Sequence, residues 1–339
     1  MDKQVTNTIA ASAGTPVAGV QPAIKDMMAA RKHVYRYLQR TPLHSYLSLS
    51  KLVGSDVYVK HENHHAVGSF KVRGGVNLAA HLTESERQAG LFTASTGNHG
   101  QSIAFAGLVY KTPVHVSLPN GANPCKMAAI RNLGAEVLIH GRDFDQAREW
   151  IANEAKTRGA RFIGPTEPEL IAGVGTYGIE ILEDLPDVDV IIVPIGAGSG
   201  AAATCIAAKS MNPDIQVIGV QAEKACAVQL SWKAGHIVSA PMESISEGIA
   251  TRVAHENTLQ ILRDPKIGLD DFVLVSDKAQ EMAVRLLLEH THNSAETAGA
   301  ASLAAALDLH DRLADKKVAL VLSGGNITPA QLHKILADE

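Results

Sequence analysis

Short apolar runs that read as strands alternate with helix-like segments from about residue 57 almost to the end of the chain. Several of these runs are nearly continuous in aliphatic residues, as in Val190-Ile191-Ile192-Val193 and Val318-Ala319-Leu320-Val321-Leu322. Strands of this kind are buried on both faces, and a repeated strand–helix–strand order connects parallel strands. The pattern therefore predicts an α/β protein with open parallel sheets that are covered by helices.

The alternation predicts a series of elements and leaves two stretches outside it. Strands are predicted at residues 57–62, 92–94, 114–118, 136–139, 162–163, 188–194, 216–220, 272–275 and 318–322. Helices are predicted at residues 21–38, 98–108, 125–133, 144–155, 278–290 and 299–313, with others that begin at 76, after 165 and after 200. Residues 232–271 are the least regular and read as an excursion that could cap an active site or an interface. Residues 1–20 lack periodicity, which predicts a mobile N-terminal arm.

Composition and charge narrow the kinds of partner that the protein can have. Its 339 residues, 46% hydrophobic and 19% charged, are ordinary for a globular protein of two domains or subdomains. The formal net charge of −4 provides no basic field, so nucleic acid is not an expected partner. The apolar runs are too short to span a bilayer, and no secretory signal is visible. Cys125, Cys205 and Cys226 have no metal-like spacing, so we expect reduced thiols in the cytoplasm.

A lysine stands at one predicted strand-to-helix junction, in Val67-Gly68-Ser69-Phe70-Lys71-Val72-Arg73-Gly74-Gly75. The flanking glycines let the backbone approach a ligand closely at this position. Lysine is also the side chain that forms Schiff bases with carbonyl cofactors. A solvated surface lysine is the alternative, and the segment alone does not exclude it.

Three further loops follow predicted strands and carry small polar residues. Ser95-Thr96-Gly97-Asn98-His99-Gly100 opens a helix and could cradle a carboxylate, although an ordinary capped turn has the same composition. Pro194-Ile195-Gly196-Ala197-Gly198-Ser199-Gly200 could wrap a phosphate, and Ser323-Gly324-Gly325-Asn326 ends the last strand. Because loops at the carboxyl ends of parallel strands converge on one crevice, these loops predict a shared ligand site. Together with the lysine they fit a cofactor that has an aldehyde, a phosphate and a ring nitrogen.

Five motifs in order identify a family resemblance that extends from about Arg40 to Asn326. The chain resembles the threonine/serine dehydratase and serine racemase branch of the fold type II (β-family) pyridoxal-phosphate enzymes. The motifs that carry the resemblance are Gly68–Gly74, Ser95–Gln101, Ala172–Thr176, Gly196–Gly200 and Ser323–Asn326. The resemblance implies a tryptophan synthase β-like fold of two interleaved open parallel-sheet subdomains. Residues 21–89 plus 168–339 would form the large cofactor-binding domain, and residues 90–167 the small mobile one.

The resemblance also implies roles for single residues around pyridoxal phosphate. Lys71 would form the Schiff base, Phe70 would pack beside the ring, and Asn98 would hydrogen-bond the 3-hydroxyl group. The backbone amides that would hold the phosphate are those of Gly196, Ala197, Gly198, Ser199 and Gly200. Ser323 would face the ring nitrogen, and the segments around Gly248 and Glu296 would line the cofactor site.

Four residues of one loop are expected to bind the substrate carboxylate: Ser95, Thr96, Gly97 and His99. Thr96 stands where dehydratases of this branch often have alanine and where serine racemase has serine. Its hydroxyl group could donate to the carboxylate or act as a second acid/base group. A threonine hydroxyl is a poor base unless a neighbour activates it, so the first role is favoured.

An ion site is a further expectation from the resemblance. Glu223 resembles a metal-binding glutamate of racemase-like members, and the carbonyl of Ala227 could be a second ligand. Gln229 stands where those members have aspartate, which weakens the case for Mg²⁺ and leaves K⁺ as an alternative. Glu223 could also simply favour the start of a helix.

These features predict a lyase that releases ammonia from a small amino acid. A hydroxyl group at position 323 does not hold the ring nitrogen protonated, which favours loss of a β-substituent over transamination. The expected substrates are L-threonine, L-serine or bulkier β-hydroxy amino acids such as phenylserine or hydroxyaspartate. The alternatives are a serine racemase, a β-replacement enzyme and a silent binding protein. A homodimer or homotetramer is expected, although the sequence leaves the oligomeric state open.

Overall fold

The computed structural model describes residues 21–337, so the predicted arm at residues 1–20 lies outside the described residues. The strands are β1 (Leu43–Ser45), β2 (Asp56–His61), β3 (Leu91–Ala94), β4 (Val114–Leu118), β5 (Glu136–Ile139), β6 (Arg161–Phe162), β7 (Val190–Pro194), β8 (Gln216–Ala222), β9 (Asp271–Val275) and β10 (Lys317–Leu322). The helices are α1 (Ile24–Val34), α2 (Leu47–Val53), α3 (Lys71–Ala80), α4 (Glu84–Ala89), α5 (Asn98–Tyr110), α6 (Pro124–Asn132), α7 (Phe144–Thr157), α8 (Pro168–Asp184), α9 (Ser199–Met211), α10 (Ala227–Ala234), α11 (Glu256–Arg263), α12 (Asp277–Thr291), α13 (Thr297–Asp308), α14 (His310–Leu313) and α15 (Pro329–Ala337).

The strands form two sheets. One has six strands in the order β1-β2-β10-β7-β8-β9, and the other has four in the order β5-β4-β3-β6. Every pair is parallel except β1 with β2 at the edge of the larger sheet. The predicted α/β class with largely parallel sheets is therefore confirmed.

The central strand β7 explains why the predicted strands lack polar alternation. All five of its residues are buried. Ile191 and Val193 pack into one apolar cluster with helices α8 and α9, whereas Val190 and Ile192 pack into another with α12 and α13. Because successive side chains point to opposite faces, a strand covered on both sides must be apolar throughout. Among residues 21–337, no helix is both long and apolar enough to cross a bilayer.

The four-stranded sheet uses a continuous part of the chain, residues 91–162, whereas strands before and after it build the six-stranded sheet. The exact domain boundaries, and the mobility of residues 90–167, stay predictions. The excursion at 232–271 contains two helices, α10 in part and α11, and the predicted helix at 299–313 is divided between α13 and α14. The elements without a counterpart among the predicted ones are strand β1 and helices α2, α4, α10, α11 and α15.

A buried group of charges fixes the first turns of α3. The Arg73 side chain is fully buried and donates to Glu62 at 2.7 Å and to Glu180 at 2.6 Å. Lys60, also fully buried, donates to Glu180 at 2.6 Å and to the carbonyl of Thr41 at 2.7 Å. Burial alone would lower the pKa of Arg73, but the two carboxylates outweigh it and hold this pKa above its usual value. Two cations therefore balance two anions under the helix that begins with Lys71.

Candidate active site

Lys71 is the first residue of α3 and lies at the cleft between the loops that follow β7 and β10. Its Nζ atom donates to Ser199 Oγ at 2.9 Å and lies 4.9 Å from the centre of the Phe70 ring. Within residues 21–337 it forms no ion pair with a carboxylate. Burial therefore lowers the pKa of Lys71 from 10.5 to about 8. At neutral pH a larger fraction of this amine is therefore uncharged than for a lysine in solvent. The uncharged amine can act as a nucleophile or a base.

The turn before Lys71 is bonded to the loop that follows β10. The Phe70 amide donates to the carbonyl of Ser323 at 3.2 Å, and the Gly325 amide donates to the carbonyl of Gly68 at 2.9 Å. Gly68 has a φ of +68°, and a Cβ atom at this position would lie 2.5 Å from Asn326 Oδ1. Both the backbone conformation and the space require glycine at this position. The predicted proximity of these two loops is therefore observed in the structure.

The glycine loop after β7 presents a row of backbone N–H groups. Among residues 21–337, no group accepts a hydrogen bond from the backbone amides of residues 196–201. Gly196 packs so closely on the carbonyl of Gly248 that a Cβ atom would collide with it. Thr258 Oγ1 donates to the carbonyl of Ala197 at 2.8 Å and holds the loop from the other side. Buried amides at the start of helix α9 form a site suited to an anion.

Asn98 begins α5 and connects the loops on the other side of the cleft. Its Nδ2 atom donates to Glu296 Oε1 at 2.7 Å, and its Oδ1 atom accepts from Asn326 Nδ2 at 2.7 Å. The Glu296 amide donates to the carbonyl of Gly324 at 3.1 Å. Burial raises the pKa of Glu296, although the hydrogen bond from Asn98 acts in the opposite direction. Two residues predicted separately for the cofactor site, Asn98 and Glu296, are therefore direct hydrogen-bond partners.

The residues predicted to bind a carboxylate lie in the turn that leads into α5. The Gly97 amide donates to Ser95 Oγ at 3.2 Å. His99 Nε2 lies 3.3 Å from the carbonyl of Ile163, and burial followed by the charge of Lys71 lowers the pKa of His99 to about 3. Within the described part of the chain, the Thr96 hydroxyl makes no hydrogen bond to a base or to any other group. His99 is therefore neutral at pH 7, and Thr96 has no activating partner.

His255 is a candidate residue that the sequence reading missed. It directly precedes α11, inside the irregular stretch 232–271. Burial, Arg148 and Lys71, in that order, lower the pKa of His255 to about 4, which places it in the electrostatic surroundings of the lysine. The neighbouring Asn257 Nδ2 donates to the carbonyl of Thr166 at 2.5 Å. The available signal was only general, since a long irregular stretch between two strands indicates a loop with a functional role.

The two residues predicted to bind an ion lie where the chain passes from β8 into α10. Glu223 begins a short 3₁₀ turn after β8 and is exposed, whereas Ala227 is buried at the start of α10. The backbone amide of Gln229 donates to Gln221 Oε1 at 3.1 Å, and its side-chain amide donates to the carbonyl of Phe272 at 3.4 Å. Gln229 therefore hydrogen-bonds to other residues of the chain. Residues 21–337 contain no group of three or more His, Cys, Asp or Glu side chains that could hold a metal ion. The ion site stays a prediction.

Comparisons with known proteins agree with this arrangement. The L-threonine ammonia-lyase of Thermotoga maritima is 38% identical, over 92% of this chain and 78% of its own length. The processed form of threonine deaminase isoform 2 from Solanum lycopersicum has a TM-score of 0.88 at 30% identity, with 93% of this chain and 91% of that chain covered. Serine racemase from Dictyostelium discoideum has a TM-score of 0.84 at 32% identity, with coverages of 91% and 100%.

The family model described as "Pyridoxal-phosphate dependent enzyme" matches residues 34–324. This match covers most of the chain, and it confirms the resemblance identified from the five ordered motifs. The relatives above are a threonine ammonia-lyase, a threonine deaminase and a serine racemase, which is the branch that those motifs indicated. The chain belongs to the family of pyridoxal-phosphate dependent enzymes.

Proposed function

We propose that this protein is an ammonia-lyase that converts an L-β-hydroxy amino acid, similar to threonine or serine, into a 2-oxo acid and ammonia. The observation that carries the proposal is Lys71, whose amine has no carboxylate partner among residues 21–337 and whose pKa desolvation lowers to about 8. Lys71 lies at the same cleft as the backbone amides of residues 196–201 and the hydrogen-bonded side chains of Asn98, Glu296 and Asn326. The similarity to threonine ammonia-lyase over 92% of the chain supports the choice of reaction.

The residues of the cleft fit pyridoxal phosphate. The amides of residues 196–201 donate to no other described residue, and a phosphate group would supply the acceptors that buried amides require. Ser69 Oγ is also buried without a hydrogen-bond partner in the described chain. When bound, the cofactor withdraws electrons from the Cα atom of an attached amino acid.

Three side chains are proposed to hold the ring of the cofactor. Phe70 would pack beside it, since its own ring is held edge-to-face against Tyr177 with centroids 6.0 Å apart. Asn98 would bind the ring hydroxyl group. Ser323, which is buried and makes no side-chain hydrogen bond within residues 21–337, would face the ring nitrogen. Because a hydroxyl group can donate or accept, Ser323 can bind an unprotonated nitrogen.

Lys71 is proposed to remove the proton from the substrate Cα atom. Only the uncharged amine can accept a proton, and the lowered pKa increases the uncharged fraction at neutral pH. The hydrogen bond of 2.9 Å to Ser199 Oγ holds the Nζ atom at the cleft side of the helix terminus. Loss of the β-hydroxyl group as water requires a proton on the leaving oxygen, and the proton that Lys71 takes from Cα balances it. The released enamine then takes up water and gives the 2-oxo acid and ammonia.

The substrate carboxylate is proposed to lie on the turn of residues 95–97. The hydroxyl group of Thr96 is free to donate, and the absence of a neighbouring base within residues 21–337 supports binding rather than acid/base chemistry. His99 has a different capacity. Because the carbonyl of Ile163 can only accept, the Nε2 atom of the neutral ring must donate to it and Nδ1 carries the lone pair. His99 can then accept a hydrogen bond from the substrate, but it needs a second proton to donate to a carboxylate.

A serine racemase is the second candidate function. The 32% identity to serine racemase from Dictyostelium discoideum supports it. Chiral analysis of L-serine after incubation distinguishes the two activities, because a racemase forms D-serine. If Thr96 supplies the second proton, Thr96→Ser should retain racemisation and Thr96→Ala should lose it. Unchanged D-serine formation by Thr96→Ala would reject that role.

We also propose that residues 90–167 move as a unit over the cleft. Two contacts cross from this part of the chain to the excursion at 232–271: the ion pair of Lys126 with Glu247 at 2.5 Å and the bond of Asn257 to the carbonyl of Thr166. Glu247 adjoins Gly248, which packs on the glycine loop. These contacts could form and break as substrate enters. Hydrogen exchange with and without substrate would test this motion.

The remaining assignments are proposals of the same kind. A cytoplasmic location is supported by the three cysteines, all of which are free thiols. A homodimer or homotetramer is supported by exposed apolar side chains in one segment, Ile237, Met242, Ile245 and Val253. Light scattering of the purified protein tests the oligomeric state. A K⁺ or Mg²⁺ ion at Glu223 and Ala227 is tested by activity after removal of each ion.

A panel of β-hydroxy amino acids tests the proposed function. The panel contains L-threonine, L-serine, L-threo-phenylserine and L-threo-3-hydroxyaspartate, each assayed with and without K⁺ and Mg²⁺. We expect equal amounts of 2-oxo acid and ammonia from at least one substrate and none with Lys71→Ala. If no member of the panel yields both products with the cofactor-loaded enzyme, the ammonia-lyase proposal is wrong.

A further inference from the structure

Asn326 ends the Ser-Gly-Gly-Asn motif, and its side chain lies between two loops of the cleft. Its Nδ2 atom donates to the carbonyl of Val67 at 2.9 Å and to Asn98 Oδ1 at 2.7 Å. Both hydrogens of this amide are therefore used. Its Oδ1 atom lies against Gly68, 2.5 Å from the position that a Cβ atom would occupy. One side chain thus contacts the turn before Lys71 and the residue that begins α5.

The carbonyl of Val67 determines which way the Asn326 amide points. A backbone carbonyl only accepts hydrogen bonds, so the atom of Asn326 that faces it must be the donor Nδ2. The same Nδ2 atom faces Asn98, whose contacting atom must then be the acceptor Oδ1. The reversed amide of either residue would bring two acceptors or two donors together. The orientation of Asn98 therefore follows from a backbone atom in another loop.

Glu296 alone does not fix the orientation of the Asn98 side-chain amide. Burial raises the pKa of Glu296, and a carboxyl group can accept a hydrogen bond when ionised or donate one when protonated. It could therefore bond either orientation of the Asn98 amide. With Asn326 present, Asn98 donates one Nδ2 hydrogen to Glu296 at 2.7 Å and keeps its second hydrogen. Among residues 21–337, no group accepts a hydrogen bond from that remaining N–H.

We propose that Asn326 is a positioning residue that fixes the amide of Asn98 so that one N–H is directed to the cofactor. The inference rests on the proposed function, in which Asn98 binds the ring hydroxyl group of pyridoxal phosphate. Asn326 itself touches neither substrate nor cofactor in this scheme. It acts through Asn98, and its effect must therefore disappear when Asn98 has no amide.

The test measures the dissociation constant of pyridoxal phosphate from four forms of the full chain: wild type, Asn326→Ala, Asn98→Ala and the double variant. Cofactor is removed from each protein and titrated back, with binding followed by absorbance. We expect Asn326→Ala to weaken binding by roughly 3- to 10-fold, the effect of one well-aligned hydrogen bond. We expect the double variant to bind as Asn98→Ala does, since contacting residues that act through one another are not additive.

Two further variants separate positioning from folding. Asn326→Asp keeps the shape but has no N–H group, so we expect it to weaken binding at least as much as Asn326→Ala. Asn77→Ala is the matched control, because the buried Asn77 also donates to a backbone carbonyl, that of Glu169, at 2.8 Å without contacting Asn98. It should lower the melting temperature of the cofactor-free protein and leave cofactor affinity within about 2-fold of wild type.

Several results would overturn the inference. Unchanged affinity in Asn326→Ala would show that Asn98 needs no positioning, and equal weakening in both backgrounds would show that Asn326 acts without Asn98. Unchanged affinity in Asn98→Ala would remove Asn98 from the cofactor site and the inference with it. Formation of 2-oxo acid by the wild type is measured separately, so a failure of the ammonia-lyase proposal is distinguished from each of these outcomes.

Discussion

Two cations lie two residues apart at the start of helix α3. Arg73 is fully buried and Lys71 is partly buried, and their surroundings are opposite. Arg73 donates to Glu62 and Glu180, and these carboxylates raise its pKa despite complete burial. Lys71 has a hydroxyl group, Ser199 Oγ, as its partner, and burial lowers its pKa to about 8. Within one turn of helix, Arg73 therefore keeps its charge, whereas Lys71 loses its charge easily.

The difference shows how a rigid support and a reactive group can share one element. A buried, fully paired ion resists both movement and deprotonation, because either change leaves an uncompensated partner. A desolvated amine without an acidic partner behaves differently. Its charged form is poorly solvated, so it loses a proton more readily and becomes reactive. The Arg73 cluster can thus anchor α3 while Lys71, at its end, remains available for chemistry. Four predictions examine this contrast.

The largest effect is expected for Lys71→Ala. Without the amine there is neither a Schiff-base nucleophile nor a base for the Cα proton, so formation of 2-oxo acid should fall by at least about 10³-fold. The free energy of unfolding of the cofactor-free protein should not fall, because the side chain removed is a desolvated amine whose only hydrogen-bond partner among residues 21–337 is the Ser199 hydroxyl group. Lys266→Ala, an exposed lysine, is the control and should keep wild-type activity. Activity within tenfold of wild type in Lys71→Ala would remove Lys71 from the mechanism.

Arg73→Ala should have the opposite profile, with a loss of stability as its primary effect. It leaves the carboxylates of Glu62 and Glu180 buried without their common partner, which should cost about 3–5 kcal/mol of unfolding free energy. Urea unfolding of the cofactor-free protein measures this. Arg161→Ala is a control, since Arg161 also pairs with glutamates, namely Glu86, Glu167 and Glu169, but is 25% exposed. Arg161→Ala should lose no more than about 1 kcal/mol of unfolding free energy. Equal losses in the two variants would show that the buried ion pairs of Arg73 stabilise the fold no more than partly exposed ones do.

The pH dependence of stability should distinguish Lys71 from a paired cation. Below about pH 8 the lysine is protonated in both folded and unfolded protein, and its burial as a cation destabilises the folded state. Between about pH 8 and 10.5 only the unfolded state remains protonated, so this penalty is lost as the pH rises. Lys71→Met should therefore be more stable than wild type below pH 8, by on the order of 1–2 kcal/mol, and less so toward pH 10.5. A pH-independent difference between the two proteins would contradict the lowered pKa.

The smallest effect is expected from placing an acid near Lys71. His255→Glu adds a carboxylate to the electrostatic surroundings of the amine and makes them more like those of Arg73. The pKa of Lys71 should rise, and the pH dependence of cofactor attachment to the apo-protein should shift upward by up to about one unit. The neutral variant His255→Gln is the control and should show no shift. A profile identical for the two variants would place His255 outside the reach of Lys71.

The contrast itself could be predicted only in part from the sequence. Lys71 was identified because a glycine-framed lysine between a strand and a helix has a local signature, and its loops stand in family order. Arg73 belongs to the same motif, but its partners give no local signal, since Glu180 lies 107 residues away. Neither charge pairing nor burial of an arginine can be inferred from spacing alone. The role of Lys71 was therefore predicted from the sequence, and the buried ion pairs of Arg73 were not.

The same limit applies to the fold. Strands such as β7 and β10 were predicted because burial on both faces demands continuous apolar residues. Strand β1 has only three residues, two of them exposed, and no pattern distinguishes it from a loop. His255 was missed because residues 232–271 follow no period. Asn326 lies 228 residues from Asn98, so their bond appears only when both loops are placed at one edge of the sheet.

The position of β10 has a consequence for synthesis on the ribosome. This strand, made near the end of the chain, lies between β2 and β7 and pairs with both. The ribosome must add about 250 residues after β2 before β10 emerges, which takes roughly 10 to 50 seconds. Until then β2 and β7 each keep an open edge, while the four strands of residues 91–162 can already pair with one another. The nascent chain therefore carries one sheet that can complete itself early and one that must wait, and a chaperone would be needed most during that interval.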